Sequence, residues 1–284
     1  MNTSSFPLAG FSRLTSKFYR STENINLSYK SDGGYRPPQE SVAAYIRIKR
    51  GVRCTPEQIA ITNGSQEGIF LAANYFLKKE KKVYLENPVY NGAKNIFLSL
   101  SARLLFIDVD RDGMQVDKIP DKKEGLVYVT PSHHFPLRVT MPIARRLELL
   151  EKADKQNLII LEDNYDSDFR YNGEPIASLQ SYDKSGRVMY LGTFSKILHP
   201  GIRLGYMVIP ERHLKGFNEA RKVINQDPAV LQQAVVAEFI KSGGFFWECM
   251  PLHDAFSDIV KKNRSAVRYA DTPIYKRSGN YSRD

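Results

Sequence analysis

Short apolar runs recur along this chain, separated by longer stretches that alternate apolar and polar positions. Strands are expected at 59–62, 82–85, 103–108, 126–130, 158–162, 188–192 and 204–209, and helices at 40–50, 66–79, around 92–101 and at 142–156. Thr55-Pro56-Glu57 reads as a helix start with proline at its first position. Short apolar strands separated by helices imply an α/β fold, a mostly parallel sheet with helices on both faces. Residues 1–40 read as irregular and polar, and Ser31-Asp-Gly-Gly-Tyr-Arg-Pro-Pro38 is a loop signal. After Gly243-Gly244 the pattern loses its period; 251–260 supports at most a short helix, and 269–284 reads as an unstructured tail. The expected organisation is an N-terminal arm over 1–40, one large domain over 41–244 and an atypical tail over 245–284, without internal repeats.

Composition narrows this only a little. The 284 residues are enough to bury a full core, and 42% hydrophobic with 25% charged residues is ordinary globular usage. A net charge of +10 suits nucleic acid or phosphate-bearing ligands, but the basic residues are scattered, which reads equally as a solvated surface. No zinc-finger spacing or RNA-binding aromatic signature accompanies the charge. Cys54 and Cys249 offer neither a disulfide framework nor a CxxC pair, which suits a reducing compartment. The first residues lack a signal-peptide pattern, and no apolar stretch approaches the roughly 20 residues of a membrane helix. A soluble, cytoplasmic protein with no membrane partner is expected.

The chemistry concentrates at predicted strand ends. In Leu191-Gly-Thr-Phe-Ser-Lys-Ile-Leu-His-Pro-Gly-Ile-Arg-Leu-Gly-Tyr206, Lys196 follows a strand, has Thr193 and Ser195 beside it, and precedes Arg203 by seven residues. A lysine able to form a Schiff base, next to hydroxyls and an arginine able to hold a phosphate, is what pyridoxal 5′-phosphate requires. That cofactor works as an electron sink only if its pyridine nitrogen stays protonated, which a buried carboxylate favours. Leu158-Ile-Ile-Leu-Glu-Asp-Asn-Tyr165 supplies such a group at the carboxyl end of a strand, where open α/β sheets bind ligands. Asp163 is the choice, with Tyr165 placed to meet the ring's phenolic oxygen; an acidic loop or a helix cap is the plainer reading of Glu162-Asp163.

Thr62-Asn-Gly-Ser-Gln-Glu-Gly68 gives a strand, a glycine turn and a helix start, so Gly64, Ser65 and Gln66 can point their amides at a phosphate. An ordinary capped helix start fits the same residues. Neither GxGxxG nor GxxxxGK[ST] occurs, which argues against a dinucleotide fold and a P-loop NTPase. Tyr90, in the loop after the next strand, is the stacking candidate for a flat ring. The Pro131-Ser-His-His-Phe-Pro136 segment follows another strand, and His133 and His134 are expected to form pocket wall rather than a metal pair.

In these motifs the chain resembles the fold-type I enzymes of the class I/II aminotransferase family. Within that family it is similar to the aminotransferase-like domain of MocR-type (GntR superfamily) bacterial regulators. Thr130-Pro-Ser-His-His-Phe-Pro136 with Val139-Thr-Met-Pro142, Glu162-Asp-Asn-Tyr-Asp-Ser-Asp-Phe-Arg-Tyr171, and Gly192-Thr-Phe-Ser-Lys196 with Arg203-Leu-Gly-Tyr206 carry the resemblance, over roughly residues 5 to 244. It implies a pyridoxal-phosphate transferase large domain, with the cofactor on Lys196, Asp163 at the pyridine nitrogen, Tyr165 at the phenolic oxygen and Tyr90 on the ring. Gly64, Ser65, Gln66, Thr193, Ser195 and Arg203 would surround the phosphate. It further implies a homodimer, in which Tyr29 reaches the partner subunit's phosphate, and an amino acid or amine as ligand.

Three departures set expectations of their own. No winged helix-turn-helix precedes residue 5, so direct DNA binding by this chain alone is not expected. The small C-terminal domain, whose arginine would clamp the substrate carboxylate, would lie past residue 284 and is expected to be absent from this chain. Arg138 stands where glycine is usual and is expected to crowd the pocket. Three readings follow: an aminotransferase-type domain that turns over an amine, an effector-sensing regulator fragment without turnover, or a non-functional truncated product.

Overall fold

The computed structural model describes residues 8–20, 35–77, 82–121, 124–165, 177–196, 198–225 and 228–242. Tyr29, the 251–260 segment and the 245–284 tail lie outside the described residues. Each predicted strand forms, as β1 (Ile59–Thr62), β2 (Lys82–Asn87), β3 (Arg103–Asp110), a two-residue β4 (Gly113–Met114), β5 (Gly125–Val129), β6 (Leu158–Asn164), β7 (Val188–Thr193) and β8 (Gly205–Val208). Seven helices accompany them among the described residues: α1 (Leu8–Arg20), α2 (Arg36–Arg50), α3 (Ser65–Phe76), α4 (Asn91–Ser99), α5 (Ile143–Gln156), α6 (Leu214–Ile224) and α7 (Val230–Lys241).

The strands form one sheet in the order β1-β8-β7-β6-β5-β2-β3-β4. Neighbours from β7 through to β3 run parallel, whereas β8 is antiparallel to both β7 and β1, and β4 to β3. β1 therefore points the same way as the parallel strands. The carboxyl ends of β1, β2, β5, β6 and β7 share one edge of the sheet, the edge at which open α/β sheets take ligands.

Alternation along each strand divides the core in two. Odd positions such as Ile159, Leu161, Met189 and Leu191 pack under α3, α4 and α6, with Ile69, Phe97 and Phe217. Even positions pack the other way: Ile160 and Val188 against Leu149 of α5, and Tyr190 with Ile46 of α2 and Phe239 of α7. With helices on both faces, the central strands are apolar on both sides until their carboxyl ends.

Within the stretch expected to be irregular, residues 8–20 and 36–40 are helical. Phe11 and Leu14, one turn apart in α1, pack on the α2–α7 side of the core, and the Phe11 ring lies 6.1 Å from that of Phe239. Docking of this stripe onto α7 supplies what local helix signals lack. α2 starts at Arg36, inside the predicted loop, because Pro37 and Pro38 fall in its first turn, where no backbone donor is needed. The helix start read at Thr55 is a single turn, Pro56–Gln58, closed by Thr55 N–H donating to Gln58 Oε1 at 3.0 Å before β1 begins.

Two glycines set how closely β8 and α3 approach. Gly64 precedes α3 with φ of 80°, a left-handed conformation that side chains resist. A Cβ on Gly205 would stand 2.9 Å from the backbone carbon of Gly64 and 3.0 Å from the Gly192 carbonyl oxygen. Gly205→Ala is therefore expected to lower stability by about 1–3 kcal/mol through overpacking, as a reduced midpoint in urea denaturation.

Candidate functional site

At the common carboxyl edge the sheet opens into a cleft of about 550 Å³, within the rough 300–1,000 Å³ range of small-molecule sites. Ser65, Gln66, Tyr90, Asp163, Tyr165, Thr193, Ser195, Lys196 and Arg203, all anticipated from sequence, line it. They come from four places along the edge: Ser65 and Gln66 after β1, Tyr90 after β2, Asp163 and Tyr165 at the end of β6, and Thr193, Ser195, Lys196 and Arg203 at the end of β7 and the connection after it. Gly64 lies under Arg203, whose Nη2 would be 3.4 Å from a Cβ at that position. Tyr128, Thr130, Phe135 and Pro200 complete the lining.

Strand alternation decides which acid of Glu162-Asp163 faces the cleft. Glu162 and Asn164 share the even face with Ile160. Glu162 accepts the Leu179 and Gln180 N–H groups, both at 2.9 Å, and Asn164 Oδ1 accepts from Arg50 at 2.8 Å. Both therefore fasten the segment behind the sheet. Asp163 points the opposite way. Its Oδ2 accepts the Tyr128 hydroxyl at 2.6 Å, while Oδ1 is buried and has no hydrogen-bond partner. Burial raises its pKa to about 6, against the lowering effect of the Tyr128 hydrogen bond.

A second buried carboxylate lies behind the cleft. Glu86, at the end of β2, accepts both the Thr130 N–H at 2.9 Å and the Thr130 hydroxyl at 2.7 Å, tying the ends of β2 and β5 together. Burial lifts its pKa to about 7, opposed by these two hydrogen bonds and reinforced by the Asp163 charge. His134 Nε2 approaches Glu86 at 3.6 Å. Burial holds the His134 pKa down at about 4, so the imidazole is neutral and the contact is not an ion pair.

The histidines are not the pocket wall that was expected. His134 is buried behind the cleft, and His133 stacks on Tyr165 at 6.2 Å, so the two rings serve separate sites. Phe135 lines the cleft instead, edge-on to Tyr90 at 6.1 Å and to Tyr165 at 6.2 Å. No cluster of three potential metal ligands occurs among the described residues. Arg146, fully buried, holds the 131–141 loop by donating to the Pro131 and Met141 carbonyls, both at 2.9 Å.

The basic end of the cleft is built on the α3 start and the β7–β8 connection. Ser65 and Gln66 open α3, and Gln66 Nε2 lies 3.3 Å from the Tyr90 hydroxyl. The Ser195 N–H donates to Thr193 Oγ1 at 3.2 Å. Arg203 holds a left-handed backbone, φ 50°, and its Nη2 reaches the Asn63 carbonyl at 3.4 Å. A non-glycine residue in that region is strained, and such strain clusters at functional sites. Arg138 does not crowd the pocket: it is exposed and outside the lining, but it also takes a left-handed backbone, φ 61°. That backbone is the reason a glycine suits the position.

Two expectations come from this geometry. Arg138→Gly should relieve strain and raise stability by up to about 1 kcal/mol, seen as a higher denaturation midpoint. The second concerns pH. Asp163 and Glu86 have folded-state pKa values of about 6 and about 7, above the unfolded values near 4. Their contribution to stability is thus present below pH ~4 and lost as pH rises through those values. Protein without bound ligand should weaken across that window, and Asp163→Asn with Glu86→Gln should flatten the pH profile of its denaturation midpoint.

Comparison with known proteins places the chain. The family model for aminotransferase class I and II matches residues 27–246. The probable rhizopine catabolism regulatory protein MocR of Rhizobium meliloti is 35% identical over 240 residues, covering 84% of this chain and 49% of that protein. Aromatic-amino-acid aminotransferase 1 of Thermococcus litoralis is 30% identical over 247 residues, covering 84% of this chain and 59% of the enzyme. The chain thus spans about half the length of these curated relatives. Among solved structures, Pyrococcus horikoshii kynurenine aminotransferase superposes with a TM-score of 0.83 at 29% identity, covering 93% of this chain and 67% of that one. The sheet, the cleft at its carboxyl edge and the matched span agree, and the chain belongs to the aminotransferase class I and II family.

Proposed function

We propose that this domain binds pyridoxal 5′-phosphate and, through it, an amino acid or amine. One observation carries the proposal: Asp163 is buried at the cleft floor with Tyr128 on one oxygen and nothing on the other. A buried acceptor left open costs free energy unless a ligand completes it. A protonated pyridine nitrogen is a cationic N–H donor suited to that oxygen, and it would return the carboxylate to its charged form.

The other groups fit the same molecule. Lys196 lies one strand over from Asp163 and supplies the amine. Ser65 and Gln66 at the helix start, Thr193, Ser195 and Arg203 offer hydroxyls, amides and a guanidinium to a phosphate, with Gly64 leaving room for the arginine. Tyr90 supplies a ring to stack, and Tyr165, held between His133 and Phe135, a hydroxyl for the phenolic oxygen. Bound there, the cofactor supplies an electron sink for carbanion chemistry at an amino-bearing carbon. Lys196, once freed from the cofactor, would move the proton at that carbon as a general base.

A second use of the same site is compatible with the relatives. The R. meliloti protein carries a regulator's name, and so does an HTH-type regulator of Bacillus subtilis that is 40% identical over 202 residues. In that reading the amine is sensed rather than turned over. We further infer a homodimer, with Tyr29 reaching the partner subunit's phosphate, a core domain near 41–244 and a cytoplasmic location. Among the described residues no helix is long and apolar enough to cross a membrane.

Titration of the purified chain with pyridoxal phosphate tests the proposal. The wild type is expected to develop the visible absorbance band of a lysine-linked cofactor. Lys196→Ala should lose that band while still quenching tyrosine fluorescence by non-covalent binding. A band that survives in Lys196→Ala, or none in wild type, would refute it.

A further inference from the structure

The turn before α3 is fastened by a carboxylate that this reading does not use. Glu67, in the first turn of α3, accepts the Asn63 N–H at 2.5 Å, Asn63 Nδ2 at 3.2 Å and Asn225 Nδ2 at 2.9 Å. Asn225 directly follows α6, 158 residues along the chain from Glu67. Asn63 in turn gives its carbonyl to Arg203 Nη2 at 3.4 Å. One side chain thus joins the end of β1, the start of α3 and the end of α6, and through Asn63 it reaches the arginine of the cleft. Gly64, Ser65 and Gln66 lie between the two residues it links, Asn63 and Glu67.

Two effects of opposite sign meet here. Asn63 and Asn225 are neutral donors, so neither offsets the charge of the Glu67 carboxylate beside the place proposed for a phosphate. The like charges repel, and removing the carboxylate would then tighten phosphate binding. As an acceptor, however, Glu67 fixes the direction of the backbone N–H groups in the 63–66 turn. Losing that direction would weaken every amide contact to the phosphate together, whereas repulsion between partly exposed charges is screened by water and salt.

We infer that Glu67 is a positioning residue for the cofactor's phosphate: it holds the 63–66 turn and Arg203 in register, and this outweighs its repulsion of the anion. The inference rests on the pyridoxal phosphate reading and adds a residue to it.

The test compares affinities of the full chain for pyridoxal 5′-phosphate and for pyridoxal, which lacks the phosphate. The wild type should prefer the phosphorylated form. Glu67→Ala should cut that preference about tenfold, the scale of one hydrogen bond to a charged group, and leave pyridoxal affinity unchanged. Asn225→Ala, which removes one strut and keeps the charge, should shift the preference the same way by less. It carries the test if Glu67→Ala does not fold. An unchanged preference in these variants overturns the inference, and so does an increase in Glu67→Ala. A wild type without any preference for the phosphate would instead defeat the cofactor reading itself.

Discussion

An acid group at the end of a central strand, sealed from water and hydrogen bonded through only one of its oxygens, is poorly stable on its own. Asp163 is in this position, and the surrounding cleft is organised by it. Tyr128 donates to one oxygen, which favours the carboxylate, while burial opposes ionisation and raises the pKa to about 6. A cation at the open oxygen would resolve the conflict, and no lysine or arginine among the described residues pairs with it. The other groups of the cleft, from the Gly64 turn to Arg203, are arranged around the space that such a ligand would occupy.

The sheet makes this possible through its alternation. Three consecutive polar residues end β6, yet only the middle one reaches the cleft; Glu162 and Asn164 turn to the opposite face and anchor the 177–180 segment and Arg50. The same stretch of chain therefore presents a ligand-directed acid on one side and a structural clamp on the other. Glu86 plays a comparable part between β2 and β5. Its hold on Thr130 keeps neighbouring strand ends together, and its charge is coupled to that of Asp163.

Much of this is legible in the sequence. Strands appear as short apolar runs, and polar residues with special chemistry stand just past them, so Lys196, Asp163, Tyr90 and the Gly64 turn can be picked out. Tyr128 cannot, because it sits inside the apolar run 126–129 and looks like core. Only the register of β5 beside β6, which pairs Tyr128 with Leu161, brings its hydroxyl to Asp163. The direction of a loop is equally hidden: Arg138 was expected in the pocket and faces solvent. α1 is hidden too, since its helix depends on α7, more than two hundred residues away. The contacts that escape the sequence are those between elements far apart in the chain.

The central claim is a covalent one, that Lys196 carries the cofactor, and mapping the linkage tests it most directly. The chain would be incubated with pyridoxal phosphate, treated with borohydride to reduce the lysine–carbonyl linkage to a stable amine, digested and analysed by mass spectrometry. The account predicts a phosphopyridoxyl group concentrated on the peptide containing Lys196. Adducts spread over surface lysines, with none enriched at Lys196, would contradict it.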